Sequence, residues 1–159
     1  MSTEPGTASV TADAAFELFF AEVEPRLRLA LTASYGFEAG REATAEAFAW
    51  AWEHRDRLET IEHPVPYLYR VGQSRTRRRK LRVLHVRSDW TEPRVEPGLM
   101  NALRKLTERQ RIAVVLVHGY GWTLAEVAQL LDIKVTTVQT HLERGLARLR
   151  VHLEVTPDA

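Results

Sequence analysis

At 159 residues, with 45% hydrophobic and 27% charged side chains, the chain reads as globular, with room for one ordinary domain or two small ones. It contains no cysteine, which excludes a disulfide framework and a thiolate metal site, and no apolar run approaches the roughly 18–20 residues of a bilayer span. The net charge of +1 hides an uneven distribution: 12 acids against 5 Lys/Arg precede Arg70, 8 Lys/Arg and no acid run from Arg70 to Arg87, and 9 of each follow from Ser88.

A short cation of this kind attracts phosphate backbones without regard to sequence, through counterion release. The acidic segment before it would repel DNA and suits a protein partner. Met1 to Thr11 are small and polar, with one acid and no basic residue, which does not read as a signal peptide. The expected location is the cytoplasm, with no membrane contact and no cofactor.

Helical periodicity dominates, so the expected fold is all-α. Phe16, Phe19, Phe20, Val23 and Leu27 recur at helical spacing and predict a first helix from about Asp13 past Leu29, with Pro25 as a kink or a break. Tyr35 to Gly40 reads as a turn. In the second helix Ala43, Ala47, Trp50 and Ala51 share one face, with Phe48 and Trp52 beside it. Pro64 and Pro66 introduce a third helix, Pro66 being tolerated in a first turn. Tyr67, Leu68, Val71 and the basic run carry that helix to about Val86.

Ser88 to Gly98 holds Pro93, Pro97 and Gly98 with little apolar content and reads as a linker. The expected organisation is a helical domain over 1–87, a linker over 88–98 and a second helical domain over 99–159. Domains this small bury only about 60% of their unfolded surface, so partner binding would support both.

The second half is the more legible. Thr107 to Gln110 and Thr123 to Glu126 are both capping-box sequences, in which the hydroxyl accepts a backbone N–H and the third residue on reaches back. Ile112, Val115 and Leu116 form an apolar stripe, with Gly119 as a natural stop. Leu124, Val127, Ala128 and Leu131 fall at i, i+3, i+4 and i+7. Asp132 to Lys134 makes a short turn. A last helix then carries Val138, Leu142, Leu146, Leu149 and Leu153 on its buried side.

This is a helix-turn-helix pattern. Thr137, Thr140, His141, Arg144 and Arg148 lie on a different face of the last helix from the leucines. Hydroxyl, imidazole and guanidinium groups suit base edges and phosphates. An amphipathic hairpin with a solvated polar face is the alternative. Two successive capping boxes and a short turn favour DNA binding.

The segment from Leu103 to Arg150 resembles region 4 of extracytoplasmic-function (ECF) sigma factors of the sigma-70 family. The match falls on Leu103, Leu106, Arg109, Arg111, Leu116, Glu126, Val127, Ala128, Leu131, Ile133, Thr137, Val138, Leu142, Arg144, Leu149 and Arg150. The stretch TVQTH is also similar to LuxR-type response regulators, and the first half discriminates. GREATAEAFAWAW (Gly40 to Trp52) and YLYRV (Tyr67 to Val71), followed by the arginine run, resemble sigma region 2 at Glu46, Phe48, Trp52, Leu68, Tyr69 and Arg70.

The resemblance implies a promoter-reading role at the −35 element for Lys134, Thr136, Thr137, Gln139, Thr140, His141, Arg144 and Arg148. It implies −10 element contacts for Arg70, Ser74, Arg75, Arg77, Arg78, Arg79 and Lys80, with Tyr67 and Tyr69 available for stacking on the opened strand. It implies polymerase docking through Glu42, Ala45, Glu46, Phe48 and Trp52. The implied partners are core RNA polymerase and promoter DNA, with an anti-sigma factor as a further candidate.

Five positions depart from the family pattern. Glu42 and Ala45 stand for its Asp and Gln, and Ser74 and Arg78 for its Asn and Asp. In the turn, Asp132 replaces the usual Gly, which Asp tolerates because it visits left-handed backbone more readily than most residues. Two other readings stay open: a sigma-like adaptor that opens no promoter, and a stand-alone helix-turn-helix regulator acting as a dimer. An enzyme is disfavoured, because the sequence holds no phosphate-binding glycine loop, metal-ligand cluster or paired nucleophile and base.

Overall fold

The computed structural model describes residues 6–82 and 97–154. These form seven α-helices and no strand: α1 (Gly6–Tyr35), α2 (Phe37–Glu53), α3 (Pro64–Arg82), α4 (Pro97–Arg104), α5 (Glu108–Val114), α6 (Leu124–Leu131) and α7 (Val135–Glu154). A 3₁₀ segment (Arg55–Thr60) joins α2 to α3, and a π-helical segment (Val115–Gly119) extends α5. Among the described residues no helix is long and apolar enough to cross a membrane.

α1 runs without a break through Pro25. Proline costs a helix one backbone bond, and the packing of α1 offsets that loss. Val23, Leu27, Ala30 and Leu31 are buried at helical spacing on both sides of the bend-prone position. The expected turn over Tyr35 to Gly40 is a single residue. Gly36, at φ 90°, reverses the chain, and α2 starts at Phe37. That positive φ is strained for any side chain, which is why one glycine suffices.

α1 and α2 cross closely because α2 presents Gly40, Ala43, Ala47 and Ala51 to α1, all buried. A Cβ on Gly40 would lie 2.6 Å from the Cα of Thr32. α3 completes the first core with Leu68 and Tyr69. The Tyr69 hydroxyl shares a hydrogen bond of 2.7 Å with Ser34 Oγ, which in turn donates to the Ala30 carbonyl at 2.8 Å. Burial pushes the Tyr69 phenol pKa up, so the ring stays neutral.

The linker expected over 88–98 falls for the most part outside the described residues. Its last two members, Pro97 and Gly98, are already the first turn of α4, where proline's missing N–H costs nothing. In the second half α5 and α7 cross at Gly145, where a Cβ would lie 2.8 Å from Val114 Cγ2. Ala102, Leu106, Val114 and Leu149 form a small core of their own. The final leucine of the α7 stripe, Leu153, expected on the buried side, is exposed at 40%.

The two halves also touch. α1 packs against α5 and α3 against α6, and one continuous apolar cluster runs from Leu27 and Leu31 to Ile112, Leu116 and Trp122.

Candidate nucleic-acid interface

Both capping boxes form. Gln110 N–H donates to Thr107 Oγ1 at 3.3 Å and Thr107 N–H to Gln110 Oε1 at 3.3 Å. Glu126 N–H donates to Thr123 Oγ1 at 3.1 Å and Thr123 N–H to Glu126 Oε2 at 2.8 Å. The second box, together with Arg26 beyond it, holds the Glu126 carboxyl below its ordinary pKa. Each box satisfies two orphan donors at a helix start and so fixes where α5 and α6 begin.

α6 stops at Asp132, which adopts the left-handed conformation at φ 54° and ψ 50°. The Ile133 N–H then reaches back to the Ala128 carbonyl at 3.1 Å, a Schellman closure. Ile133 packs on the core as a plug, and Ala128 is buried beside α7. The turn thereby sets the angle at which α7 leaves.

On α7, Val138 is wholly buried and Leu149 nearly so. Lys134, Thr136, Thr137, Gln139, Thr140 and Arg144 are exposed, and His141 is half-buried. The first turn and a half of α7 therefore offers short polar side chains to solvent, in the position from which a recognition helix reads base edges. Gln139 Nε2 rests on Glu143 Oε1 at 3.1 Å, and Thr140 Oγ1 donates to the Thr136 carbonyl at 3.0 Å, leaving its lone pairs free. Arg148 differs from its neighbours. Its guanidinium leans back to Gln110 Oε1 at 3.4 Å and braces α7 on α5.

Burial, and then the nearby Arg109 and Arg144, lower the His141 pKa below its ordinary value near 6.5. A depressed histidine binds its proton more readily in the unfolded chain, so His141 contributes stability above the unfolded pKa. That contribution fades as pH falls through the window between the unfolded and folded values. In an NMR titration its ring resonances should move with a midpoint below 6.5. Arg109→Ala should raise that midpoint, and an unchanged midpoint would remove Arg109 as a cause, leaving burial and Arg144.

In the first half the basic helix α3 exposes Arg70, Ser74 and Arg77. The side chains of Arg78, Arg79 and Lys80 lie outside the described residues. Arg75 is half-buried and pairs with Glu46 on α2 at 3.1 Å. The sequence assigned these two residues to different partners, DNA and protein, whereas the fold joins them to each other. An open cleft of about 420 Å³ is lined by Trp50, Tyr67, Arg70, Val71, Ser74 and Arg75. Trp50 stacks on His54 with centroids 4.3 Å apart and tilts against Tyr67 at 5.3 Å. Trp50, placed by its spacing on the face of Ala43, Ala47 and Ala51, packs against the core and also walls the cleft.

Tyr69, offered as a stacking platform, is buried at 1% exposure and is unavailable to a base. Phe48, offered as a docking residue, is buried at 6% because Phe19 and Phe20 of α1 close over it, the latter ring 4.6 Å away. Trp52 is exposed at 42%, edge-on to Phe16 at 4.9 Å and under the Arg55 guanidinium at 4.7 Å. Glu42 and Ala45 share the outer side of α2, with Glu46 half-buried beside them. No group of three or more metal-ligating side chains occurs among the described residues.

With this geometry in place, residues 98–149 match the family model described as Sigma-70, region 4. The likeness to the sigma-70 family lies in this C-terminal segment. The matched segment spans the capped α5, the π segment, the Asp132 turn and most of α7.

Two curated relatives, the RNA polymerase sigma-E factors of Streptomyces antibioticus and Streptomyces avermitilis, are each 40% identical over 67 residues, covering 42% of this chain. The match spans 37% of the length of those relatives. The whole chain is similar in fold to the sigma factor RpoE of Bartonella quintana, crystallised in complex with the anti-sigma factor NepR. That structure superposes with a TM-score of 0.64 at 20% identity, over 89% of this chain and 98% of that one. The likeness places the first half, which the family match does not reach, in the same fold.

Proposed function

We propose that this protein is an RNA polymerase sigma factor that directs promoter-specific transcription initiation from the cytoplasm. The observation that carries the reading is the exposed polar face of α7, held by two complete capping boxes within the sigma-70 region 4 segment. Its role is binding and positioning rather than catalysis. Its partners are core RNA polymerase and promoter DNA, with an anti-sigma factor suggested by the complex in which the RpoE neighbour was crystallised.

The division of labour follows the surfaces. Residues 1–87 act on polymerase and the −10 element, 88–98 link, and 99–159 act on the −35 element. Polymerase meets α2 at Glu42, Ala45 and Trp52, with Glu46 at the edge. The opened strand lies along Arg70, Ser74 and Arg77, and a base can enter the cleft beside the Trp50–Tyr67 pair. The −35 duplex receives α7 in its major groove. Neither contact need be tight, since joining two modules raises the effective concentration at the second site.

The test is run-off transcription with sigma-free core polymerase on pooled genomic promoter fragments. Discrete transcripts that require the protein are the expected result, and their aligned start sites yield both promoter elements. Binding to core without transcripts would favour the adaptor, with Ser74 and Arg78 as its cause. Specific duplex binding without core binding would favour a stand-alone regulator.

A further inference from the structure

The reading face of α7 is polar with one exception. Val135, the first residue of the helix, is 44% exposed. Among the described residues it is the only large apolar side chain exposed between Asp132 and Arg148. Val138, nearby on the same helix, is wholly buried and supplies the packing at this end of α7. Val135 belongs to neither apolar core. Nor does it serve the helix itself, since a β-branched residue is a poorer helix former than alanine. A lone exposed valine is ordinary on a protein surface. The place of this one gives it a use.

The Lys134 carbonyl accepts the Thr137 N–H at 3.0 Å and the Val138 N–H at 3.1 Å, so Val135 stands in the first turn of α7. Thr136 and Thr137 are exposed beside it. That turn is the part of a recognition helix that reaches base edges in the major groove. The groove floor presents donors and acceptors at every base pair, and one apolar group, the C5-methyl of thymine. Against any other base the valine methyls would strip water from a polar edge and leave it unpaired. Against thymine, two apolar groups leave water together. A valine in a helix holds essentially one rotamer, so the contact costs little entropy. Gln139 lies one turn on, its Cβ about 5–6 Å away on the same side of the helix. Base pairs are about 3.4 Å apart, so the two side chains fall within two base pairs of each other.

We propose that Val135 is a specificity-determining residue of the −35 contact, seated on the C5-methyl of a thymine no more than two base pairs from the one that Gln139 reads. The inference rests on the promoter-reading function proposed above. It adds an apolar contact to a face otherwise made of hydroxyl, amide and charged groups.

The test uses polymerase reconstituted with the full chain, binding a fluorescent promoter fragment chosen from the run-off transcripts. Each thymine of the −35 element, on either strand, is replaced in turn by deoxyuridine, which removes the methyl and changes no hydrogen-bonding group. One replacement should weaken binding about fourfold, the worth of one methyl-sized group taken out of water. Val135→Ala should weaken binding to the natural fragment by at least as much. It should be indifferent to that one replacement and as sensitive as the wild type to all others, because losses at two groups in contact do not add. Its salt dependence should be unchanged, since no phosphate contact is removed. Alanine is the better helix former, so the loss cannot come from unfolding of α7.

Additive losses at every thymine, or Val135→Ala binding as tightly as the wild type, overturn the assignment. So does a −35 element with no thymine, or a coupled thymine more than two base pairs from the position at which Gln139→Ala flattens the preference. If no transcript appears, the promoter-reading function has failed. Duplexes selected by the full chain from a random pool then supply the sequence for the same scan, and a pool that yields no preferred sequence overturns Val135 as a reader too.

Discussion

Gly40→Ala should destabilise the protein by about 2–3 kcal/mol and lower its Tm by roughly 5–10 °C, as measured by thermal unfolding followed by circular dichroism. In an open helix the same change would stabilise by up to about 1 kcal/mol, since alanine is the better helix former. The sign reverses because the new Cβ would meet the Thr32 Cα at 2.6 Å and the Thr32 backbone N at 2.7 Å. Backbone cannot rotate away as a side chain can, so α1 and α2 must separate, loosening Ala43, Ala47 and Ala51 with them. Gly98→Ala is the control. Nothing lies within 4 Å of its position in α4, and a stabilisation of about 0.4–1 kcal/mol is expected there. Equal effects at the two glycines would mean that helix propensity, and not the crossing, decides.

The same crossing shows what the sequence can and cannot disclose. The two capping boxes, the αL Asp132 and the polar face of α7 were all legible, because each depends on residues three or four apart. Phe48 was misassigned for the opposite reason. Its burial depends on Phe19 and Phe20, nearly thirty residues earlier, and helical spacing on α2 alone puts it beside Trp52, which is exposed. Tyr69 sits in a motif that could present a stacking ring, but Ser34 on α1 claims its hydroxyl. Arg111 matched a family motif without disclosing its role, since nothing local says that its guanidinium reaches the Ala33 and Ser34 carbonyls at the end of α1. Arg26, which pairs with Glu126, carried no signal at all. Where a side chain answers to its own helix the sequence speaks plainly, and where it answers to another helix only the fold does.

Within α7, substitution should separate reading from holding. Gln139→Ala, in the helix's second turn, should cost about 1–3 kcal/mol at one base pair of the −35 duplex and flatten the preference there. A carboxamide makes a bidentate bond to adenine that alanine cannot replace. Arg144→Ala, a turn further on, should weaken binding to all sequences alike and reduce the slope of log K against log salt by about 1, the signature of one lost phosphate contact. Arg148→Ala should do neither in full, because its guanidinium is already committed to Gln110. Its loss should appear first as reduced stability of the α5–α7 pair. The measurement is fluorescence anisotropy on matched and single-mismatch duplexes, built on the −35 sequence that the run-off transcripts reveal, at several salt concentrations. If Gln139→Ala and Arg144→Ala gave the same salt slope and the same mismatch profile, α7 would be gripping the backbone along its whole length. The exposed face of Thr136, Thr137, Gln139 and Thr140 would then carry charge-neutral contacts to sugar and phosphate, and sequence would have to be read through the shape of the groove.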